Sequence, residues 1–243
     1  MKVIIVENYD EMSKVAADII AEIVENNPSA TLGLATGSTP IGCYKLLADF
    51  CARKKVSFAN VKAVNLDEYV GLPATHNQSY AYFMRRNLFD HIDINLDNTA
   101  IPNGCAANVE EECSHYGDLL EKLPRDVQVL GLGSNGHIGF NEPNTPFDCP
   151  THLVELTAST VKDNSRLFDN PNEVPKKAIT MGIAEIMQAR KILLLASGAN
   201  KAQAVYDLVK GEVTEKCPAS VLQRHPDCIV VVDKEAGRLL QNA

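Results

Sequence analysis

The sequence predicts an α/β fold with one doubly wound, mostly parallel sheet and helices on both faces, as in Rossmann-like proteins. Short apolar runs alternate with helical patterns along the chain, which is the signature of successive βαβ units. Runs such as residues 127–132 are apolar enough for strands that are buried on both sides. The 243 residues are 45% hydrophobic and contain neither a repeat nor a linker. We therefore expect a single catalytic domain over residues 1–243.

The elements follow one another at spacings that suit right-handed crossovers between parallel strands. Strands are predicted from short apolar runs, and helices from longer segments with helical apolar periodicity. In chain order we expect strand 2–6, helix 11–26, strand 31–35, helix 41–53, strand 61–65, helices 79–88 and 107–122, strand 127–132, helix 182–188, strand 191–196, helix 200–210, strand 228–233 and a terminal helix.

Composition and charge exclude several classes of protein. The formal net charge is −8 and the basic residues are scattered, so nucleic acid and anionic membrane surfaces are not expected as partners. No signal peptide or long apolar span is found, so we expect no membrane association. The seven cysteines are an odd number without a CxxC pair, which favours reduced thiols in the cytoplasm over disulfides or zinc. Two of them, Cys43 and Cys51, fall on one predicted helix.

A glycine-rich loop at residues 131–143 is the most informative segment. It follows the predicted strand 127–132 and contains one histidine, His137, and one carboxylate, Glu142. Ligands of open α/β sheets bind beyond the carboxyl ends of the strands, where this loop must lie. The pattern predicts a reactive loop. The alternative is a plain turn with a hydrogen-bonded structural histidine.

A pair of acidic residues, Asp67 and Glu68, follows the predicted strand 61–65. Adjacent carboxylates repel each other and seldom share one environment. If Asp67 points into the crevice, burial and the neighbouring charge would tune it as a general base, while Glu68 turns to a structural partner. The alternative is a solvated acidic turn.

A turn of small residues follows the strand at 31–35 and opens the helix at 41–53. Pro40 suits the first helical position and Thr39 the N-cap, so free N–H groups and the helix dipole should face Gly37, Ser38 and Thr39. Such a turn favours an anion such as phosphate, although most turns of this kind only cap a helix. Neither the P-loop pattern nor the dinucleotide-binding glycine pattern is present, which argues against an ordinary nucleotide site.

Two cations could complete a phosphate clamp with that turn. Lys201 follows the predicted strand 191–196 at the start of the next helix, and Arg166 lies in the polar stretch after the reactive loop. Arg could fork two phosphate oxygens while Lys adds a point charge. Each alone is more often a surface charge.

Taken together, these segments resemble the glucosamine-6-phosphate deaminase family, and the similarity covers almost the whole chain. The motifs that carry it are Thr36-Gly-Ser-Thr-Pro40, Asn65-Leu-Asp-Glu-Tyr69, Gly133-Ser-Asn-Gly-His-Ile-Gly-Phe-Asn-Glu-Pro143, Asn164-Ser-Arg166 and Ser197-Gly-Ala-Asn-Lys201. The resemblance implies an enzyme of amino-sugar catabolism that converts glucosamine 6-phosphate and water to fructose 6-phosphate and ammonia, without metal or organic cofactor. We expect it to be classed as a hydrolase.

The resemblance also implies roles for individual residues. Asp67 would move the C2 proton to C1, and His137 with Glu142 and Asn135 would serve ring opening. The implied substrate-binding residues are Gly37, Ser38, Thr39, Arg166 and Lys201.

Some positions depart from parts of the family. Some members have Asp where Asn135 stands, so ring opening here would depend more on Glu142. Effector-activated members carry basic residues where this chain has His152 and Val154, so we expect no allosteric activation. A 6-phosphogluconolactonase-like hydrolase and a non-enzymatic sugar-phosphate sensor remain as alternatives, and the sequence leaves open whether the protein is a monomer or a homo-oligomer.

Overall fold

The structure is a computed structural model, and it describes residues 1–157, 161, 165, 168, 170 and 173–240. In this part of the chain the strands are β1 (Lys2–Val6), β2 (Thr31–Leu34), β3 (Lys62–Asn65), β4 (Asp67–Tyr69), β5 (Thr99–Ala100), β6 (Val127–Leu130), β7 (His152–Glu155), β8 (Lys177–Thr180), β9 (Ile192–Ala196) and β10 (Cys228–Asp233). The helices are α1 (Tyr9–Asn26), α2 (Ile41–Ala52), α3 (Tyr80–Asn87), α4 (Val109–Lys122), α5 (Ile183–Ile186), α6 (Ala202–Lys210) and α7 (Lys234–Gly237). Short 3-10 helices cover Phe89–His91, Leu96–Asn98, Ala199–Lys201 and Pro218–Arg224.

The main sheet confirms the predicted fold class. Within the described ranges seven strands lie in the order β1-β10-β9-β6-β2-β3-β5, and all neighbouring pairs are parallel. Every residue of β2, β6 and β9 is buried. Because successive strand residues point to opposite faces, strands buried throughout must be covered on both sides.

The order of the strands places a topological switch point between β2 and β6. From β2 the sheet grows through β3 to β5, whereas from β6 it grows the other way through β9 to β10. Only two residue pairs, Leu32 with Val127 and Gly33 with Gln128, join β2 to β6. Crevices at the carboxyl ends of such strands are the usual ligand sites of open α/β sheets.

A second, smaller sheet was not predicted. Strands β4, β8 and β7 pair antiparallel in that order, and the backbone N–H of Met181 donates to Leu66 O at 2.6 Å beside them. These strands are three or four residues long, too short for an alternating pattern to be distinguished from a loop. β5 was missed for the same reason, since it has only two residues.

Helix starts differ from the predicted ones where a side chain caps the helix. Asn8 accepts from Glu11 N at 3.0 Å, so α1 begins at Tyr9 rather than at residue 11. Asn108 caps α4, which therefore begins at Val109 rather than at residue 107. Thr39 is not the N-cap of α2: Pro40 occupies that position, with helical backbone angles and no side-chain cap bond.

All seven cysteines have free thiols, and Cys43 and Cys51 both lie on α2. Among the described residues, no helix combines the length and apolar character needed to cross a membrane.

Candidate active site

Four neighbouring strands place the predicted site residues, other than Arg166, at one edge of the main sheet. In spatial order they are β9, β6, β2 and β3. The turn with Lys201 follows β9, the glycine-rich loop follows β6, the small-residue turn follows β2, and Asp67 lies two residues after β3. Because these strands are parallel, their carboxyl ends share one edge, at the switch point between β6 and β2.

The glycine-rich loop folds back on itself and presents His137. Gly136 N donates to Gly133 O at 3.0 Å, and Gly133 N donates to His137 O at 2.9 Å. The Asn135 Oδ1 atom accepts from His137 N at 3.2 Å. The loop is also held from outside, because Ala219 N donates to Gly136 O at 2.9 Å. These bonds fix the backbone that carries the imidazole.

Glu142 and Asn135 surround the histidine side chain. Asn135 Nδ2 donates to Glu142 Oε2 at 2.7 Å, and the other oxygen, Oε1, lies 3.4 Å from His137 Nδ1. This contact lies within ion-pairing distance, and the Nδ1 atom has no hydrogen-bond partner among the described residues. His137 and then Asn135 nevertheless lower the pKa of Glu142, which stays ionised and attracts the imidazolium form. The His137 and Glu142 side chains are 32% and 27% exposed, so a ligand can reach them.

Asp67 and Glu68 occupy different environments, as the sequence analysis anticipated. Asp67 is 6% exposed, and no described residue donates a hydrogen bond to its carboxylate. Burial, and secondly the charge of Glu68, raise the pKa of Asp67 to about 8. The Glu68 carboxylate accepts from the backbone N–H groups of Tyr69, Tyr80 and Ala81 at 2.8 to 2.9 Å. Glu68 thus caps the start of α3, and Asp67 is left free to act on a ligand.

The reactive loop passes directly over Asp67. A Cβ atom placed on Gly139 would lie 3.8 Å from Asp67 Oδ2. The contact is fixed through β8, because Thr180 pairs with Asp67 in the small sheet and its Oγ1 accepts from Phe140 N at 3.1 Å. A buried carboxylate therefore lies beneath the loop that carries the histidine–carboxylate pair.

The turn after β2 has backbone donors to spare. The N–H groups of Gly37, Ser38 and Thr39 have no acceptor among the described residues. Tyr9 braces the turn, since its hydroxyl donates to Ser38 O and accepts from Gly42 N. The turn can therefore receive an anion without losing a protein contact.

Lys201 supplies a cation at the same edge. It ends the 3-10 helix Ala199–Lys201, and burial lowers the pKa of its ammonium group. Among the described residues no carboxylate pairs with it. Partial burial of an ammonium group without a counter-charge costs free energy. A bound phosphate would supply that counter-charge. The other predicted clamp residue, Arg166, lies outside the described residues.

Several residues that shape the site were not predicted from the sequence. Thr180 holds the loop at Phe140, and the buried Asn141 amide donates to Ile138 O and Met181 O, both at 2.9 Å. Tyr80 donates to the Tyr69 hydroxyl at 3.0 Å, and its ring stacks with Phe140 at 6.3 Å. In the segment 138–141 a single glycine, Gly139, is the signal that the sequence offers, and the contacts of Thr180 depend on the small sheet, which was not predicted.

Two cavities lie away from the predicted site residues. A cavity of about 470 Å³ lies against α3 and one of about 640 Å³ lies beside residues 70–73, and neither is lined by a predicted site residue. Among the described residues, no group of three or more His, Cys, Asp or Glu side chains could hold a metal ion.

With the geometry in place, comparison with known proteins assigns the chain to a family. It belongs to the family described as glucosamine-6-phosphate isomerases/6-phosphogluconolactonase, which it matches over residues 7–231. It is 52% identical over 241 residues to the glucosamine-6-phosphate deaminase of Thermoanaerobacter pseudethanolicus, covering 99% of this chain and 95% of that protein. The deaminase of Clostridium perfringens is 50% identical over 242 residues, with 99% and 100% coverage. The resemblance inferred from the motifs is confirmed.

Solved structures show the same relationship. A monomeric glucosamine-6-phosphate deaminase superimposes with a TM-score of 0.95 at 46% identity, covering 98% of this chain and 100% of that one. The 6-phosphogluconolactonase of Trypanosoma brucei superimposes with a TM-score of 0.78 at 21% identity and 98% coverage of each chain. At that identity the second match indicates a shared fold only.

The predicted classification as a hydrolase is wrong. The relatives that match over the whole chain are named deaminases, and the family description names isomerases. The chemical reason is that the defining step in such a reaction moves a proton between two carbons, and loss of ammonia follows from it.

Proposed function

We propose that this protein is a glucosamine-6-phosphate deaminase, which isomerises and deaminates glucosamine 6-phosphate to fructose 6-phosphate and ammonia. The observation that carries the proposal is the buried Asp67 carboxylate beneath the loop that bears His137 and Glu142. Relatives about 50% identical over the whole chain carry the same name. The site residues and their roles below are part of the proposal.

The substrate is anchored by its phosphate. The free N–H groups of Gly37, Ser38 and Thr39 hold the phosphate oxygens, and the unpaired ammonium of Lys201 neutralises part of their charge. Arg166 is proposed as the second cation of this clamp. Because the turn and Lys201 follow strands on either side of β6, the sugar ring extends toward the loop that follows β6.

Ring opening is assigned to His137. The C2 proton becomes acidic only when C1 is an aldehyde, so the cyclic sugar must open first. His137 moves a proton between the anomeric hydroxyl and the ring oxygen. The ionised Glu142 stabilises the imidazolium that forms in between, and Asn135 holds Glu142 in place through its amide.

Isomerisation is assigned to Asp67. Its carboxylate removes the C2 proton to form a cis-enolamine and returns the proton to C1, so one base serves both carbons. The raised pKa makes Asp67 a stronger base than an exposed carboxylate. The substrate's own ammonium group, attached to C2, favours the ionised form of Asp67 on binding.

Ammonia leaves after the proton has moved. Protonation at C1 gives an iminium at C2, to which water adds to form a carbinolamine. Expulsion of ammonia from the carbinolamine leaves the ketone of fructose 6-phosphate. Each of these groups belongs to the substrate or to water, and the protein's part is to exchange protons through His137 and Asp67.

The two alternatives leave structural features without a use. Lactone hydrolysis removes no proton from carbon, so a 6-phosphogluconolactonase would have no task for the buried Asp67. A sugar-phosphate sensor needs the clamp but neither Asp67 nor the His137–Glu142 pair. We also propose that the protein acts in the cytoplasm, because its seven free thiols suit a reducing compartment.

The test is a product assay with purified protein. Incubation with glucosamine 6-phosphate should release ammonia and fructose 6-phosphate in equal amounts, while 6-phosphogluconolactone should be hydrolysed no faster than in buffer. The Asp67→Asn protein is the matched control, because it preserves shape and removes the base. Lactone hydrolysis without ammonia release would favour the first alternative, and tight binding of the sugar phosphate without turnover would favour the second.

A further inference from the structure

We propose that Asp233 is a positioning residue for the phosphate-binding Lys201 and sets the affinity for the phosphate of the substrate. The inference rests on the proposed function, because it takes Lys201 as a phosphate ligand. Asp233 ends β10, the strand next to β9. It was predicted from the sequence only as the last residue of a strand.

The Asp233 carboxylate links the end of β10 to residues 197–198 and to the start of α7. It accepts a hydrogen bond from the Ser197 hydroxyl and bonds from Gly198 N at 3.0 and 3.1 Å. It also accepts from Ala236 N at 2.8 Å, which caps α7. Asp233 is 6% exposed, and every one of these partners is a neutral donor. A buried carboxylate satisfied in this way holds its donors firmly.

Residues 197–198, which Asp233 holds, also determine the orientation of Lys201. Gly198 has φ +95° and ψ 152°, a conformation that other residues adopt only with strain. Immediately after it the chain turns into the 3-10 helix Ala199–Lys201, in which Lys201 N donates to Gly198 O at 3.0 Å. The direction of the backbone at Gly198 therefore decides where the Lys201 side chain projects.

The carboxylate holds the lysine without neutralising it. In the described part of the chain, no carboxylate oxygen, including those of Asp233, lies within ion-pairing distance of the Lys201 ammonium. Asp233 is bonded to Ser197 and Gly198 instead. The ammonium group thus has no protein carboxylate as a counter-charge and stays available to a ligand, while its position is fixed through the backbone.

A purely structural role predicts a different outcome from a positioning role. If Asp233 only stabilises the fold, its removal lowers the melting temperature and leaves KM unchanged. If it acts through Lys201, its removal raises KM for the phosphorylated substrate with little change in kcat, and the effect disappears once Lys201 is absent.

The experiment is a double-mutant cycle on the whole enzyme with glucosamine 6-phosphate as substrate. We expect Asp233→Ala to raise KM about tenfold, with kcat within about twofold of the parent, and Asp233→Asn to raise KM by less. In the Lys201→Ala background, Asp233→Asn should change KM by less than about twofold. Asp233→Asn keeps the test valid if Asp233→Ala does not fold. Asn108→Ala, which removes the cap of α4, is the control for lost capping alone and should leave KM unchanged.

The possible failures are distinguishable. An unmutated enzyme that releases no ammonia would overturn the proposed function together with this inference. An active enzyme in which the effects of the two substitutions multiply, or in which either single substitution leaves KM unchanged, would overturn the positioning role and leave the function standing. Competitive inhibition by inorganic phosphate gives a second readout, and its inhibition constant should rise in parallel with KM.

Discussion

The imidazole of His137 occupies the space in which a side chain of residue 133 would lie. A Cβ atom built on Gly133 would come within 2.4 Å of the His137 Cε1 atom, far inside van der Waals contact. The absence of a side chain at Gly133 is therefore what allows the ring to rest against the loop that carries it.

This relationship predicts the effect of Gly133→Ala. The added methyl group must displace the ring, so we expect kcat to fall at least about tenfold and the free energy of unfolding to fall by about 1–3 kcal/mol, as for overpacked sites. Gly131→Ala is the matched control, because nothing lies within 4 Å of a Cβ at that position. Steady-state kinetics and urea unfolding of both variants provide the check. Full activity of Gly133→Ala would show that the ring is not held in this place.

Asp67→Asn should fold, bind sugar phosphate and lose turnover by at least about a hundredfold, because a positioned base contributes about 10²–10⁴ to the rate. The variant should also fail to exchange the C2 hydrogen of the substrate with deuterated water, whereas the parent enzyme exchanges it. Measuring exchange by NMR separates loss of the base from a defect in a later step. A near-normal rate would contradict the role assigned to Asp67.

The raised pKa of Asp67 also predicts how stability depends on pH. The folded pKa of about 8 lies above the ordinary value of 3.8, so the folded state binds the proton more tightly than the unfolded state. The contribution of this group to stability is therefore fully present below 3.8 and is lost as the pH rises toward about 8. Asp67→Asn removes that titration. In urea unfolding at several pH values, the free energy of unfolding of the variant should rise relative to that of the parent as the pH increases across this range. A difference between the two proteins that is independent of pH would contradict the assignment.

His137→Gln tests the ring-opening step. The variant should lose more activity on the closed-ring substrate than on an open-chain analogue, because the analogue has already passed the step that His137 assists. Glu142→Gln should show the same asymmetry to a smaller degree, since it acts through the imidazole. Kinetics of both variants on both compounds give the comparison. Equal losses on the two compounds would mean that His137 serves another step.

An element could be predicted from the sequence where its apolar pattern extends over enough residues. The apolar runs at β6 and β9 are long enough to identify buried strands, and their parallel arrangement follows from the helices between them. β4 could not be identified from the sequence, because contacts with other elements bury Asp67, Glu68 and Tyr69 and the strand has no apolar pattern of its own. Glu68 is buried by capping α3, a contact that no local pattern reveals.

The site was more predictable from its residue types than from its geometry. Glycines next to His137 and Glu142 predict a reactive loop, whereas the acidic pair leaves two possibilities open: a base at Asp67 beside a structural Glu68, or a solvated acidic turn. The sequence carries no direct record of Thr180 beneath Phe140, because that contact joins two segments that become neighbours only in the folded sheet. The part of Asp233 in fixing Gly198 is hidden for the same reason.

The narrow junction between β2 and β6 has a consequence for how the enzyme acquires activity. Leu32 and Val127 are distant in sequence, yet their pairing brings together the two halves of the sheet from which the turn at residues 37–39 and the His137 loop emerge. Contacts of such large separation form late, because the chain entropy lost in closing the loop must be compensated by packing. We expect a chain in which the two halves have formed but have not yet paired to be inactive. Recovery of ammonia release during refolding should therefore lag behind recovery of helical signal, and catalysis itself becomes a reporter of this long-range closure.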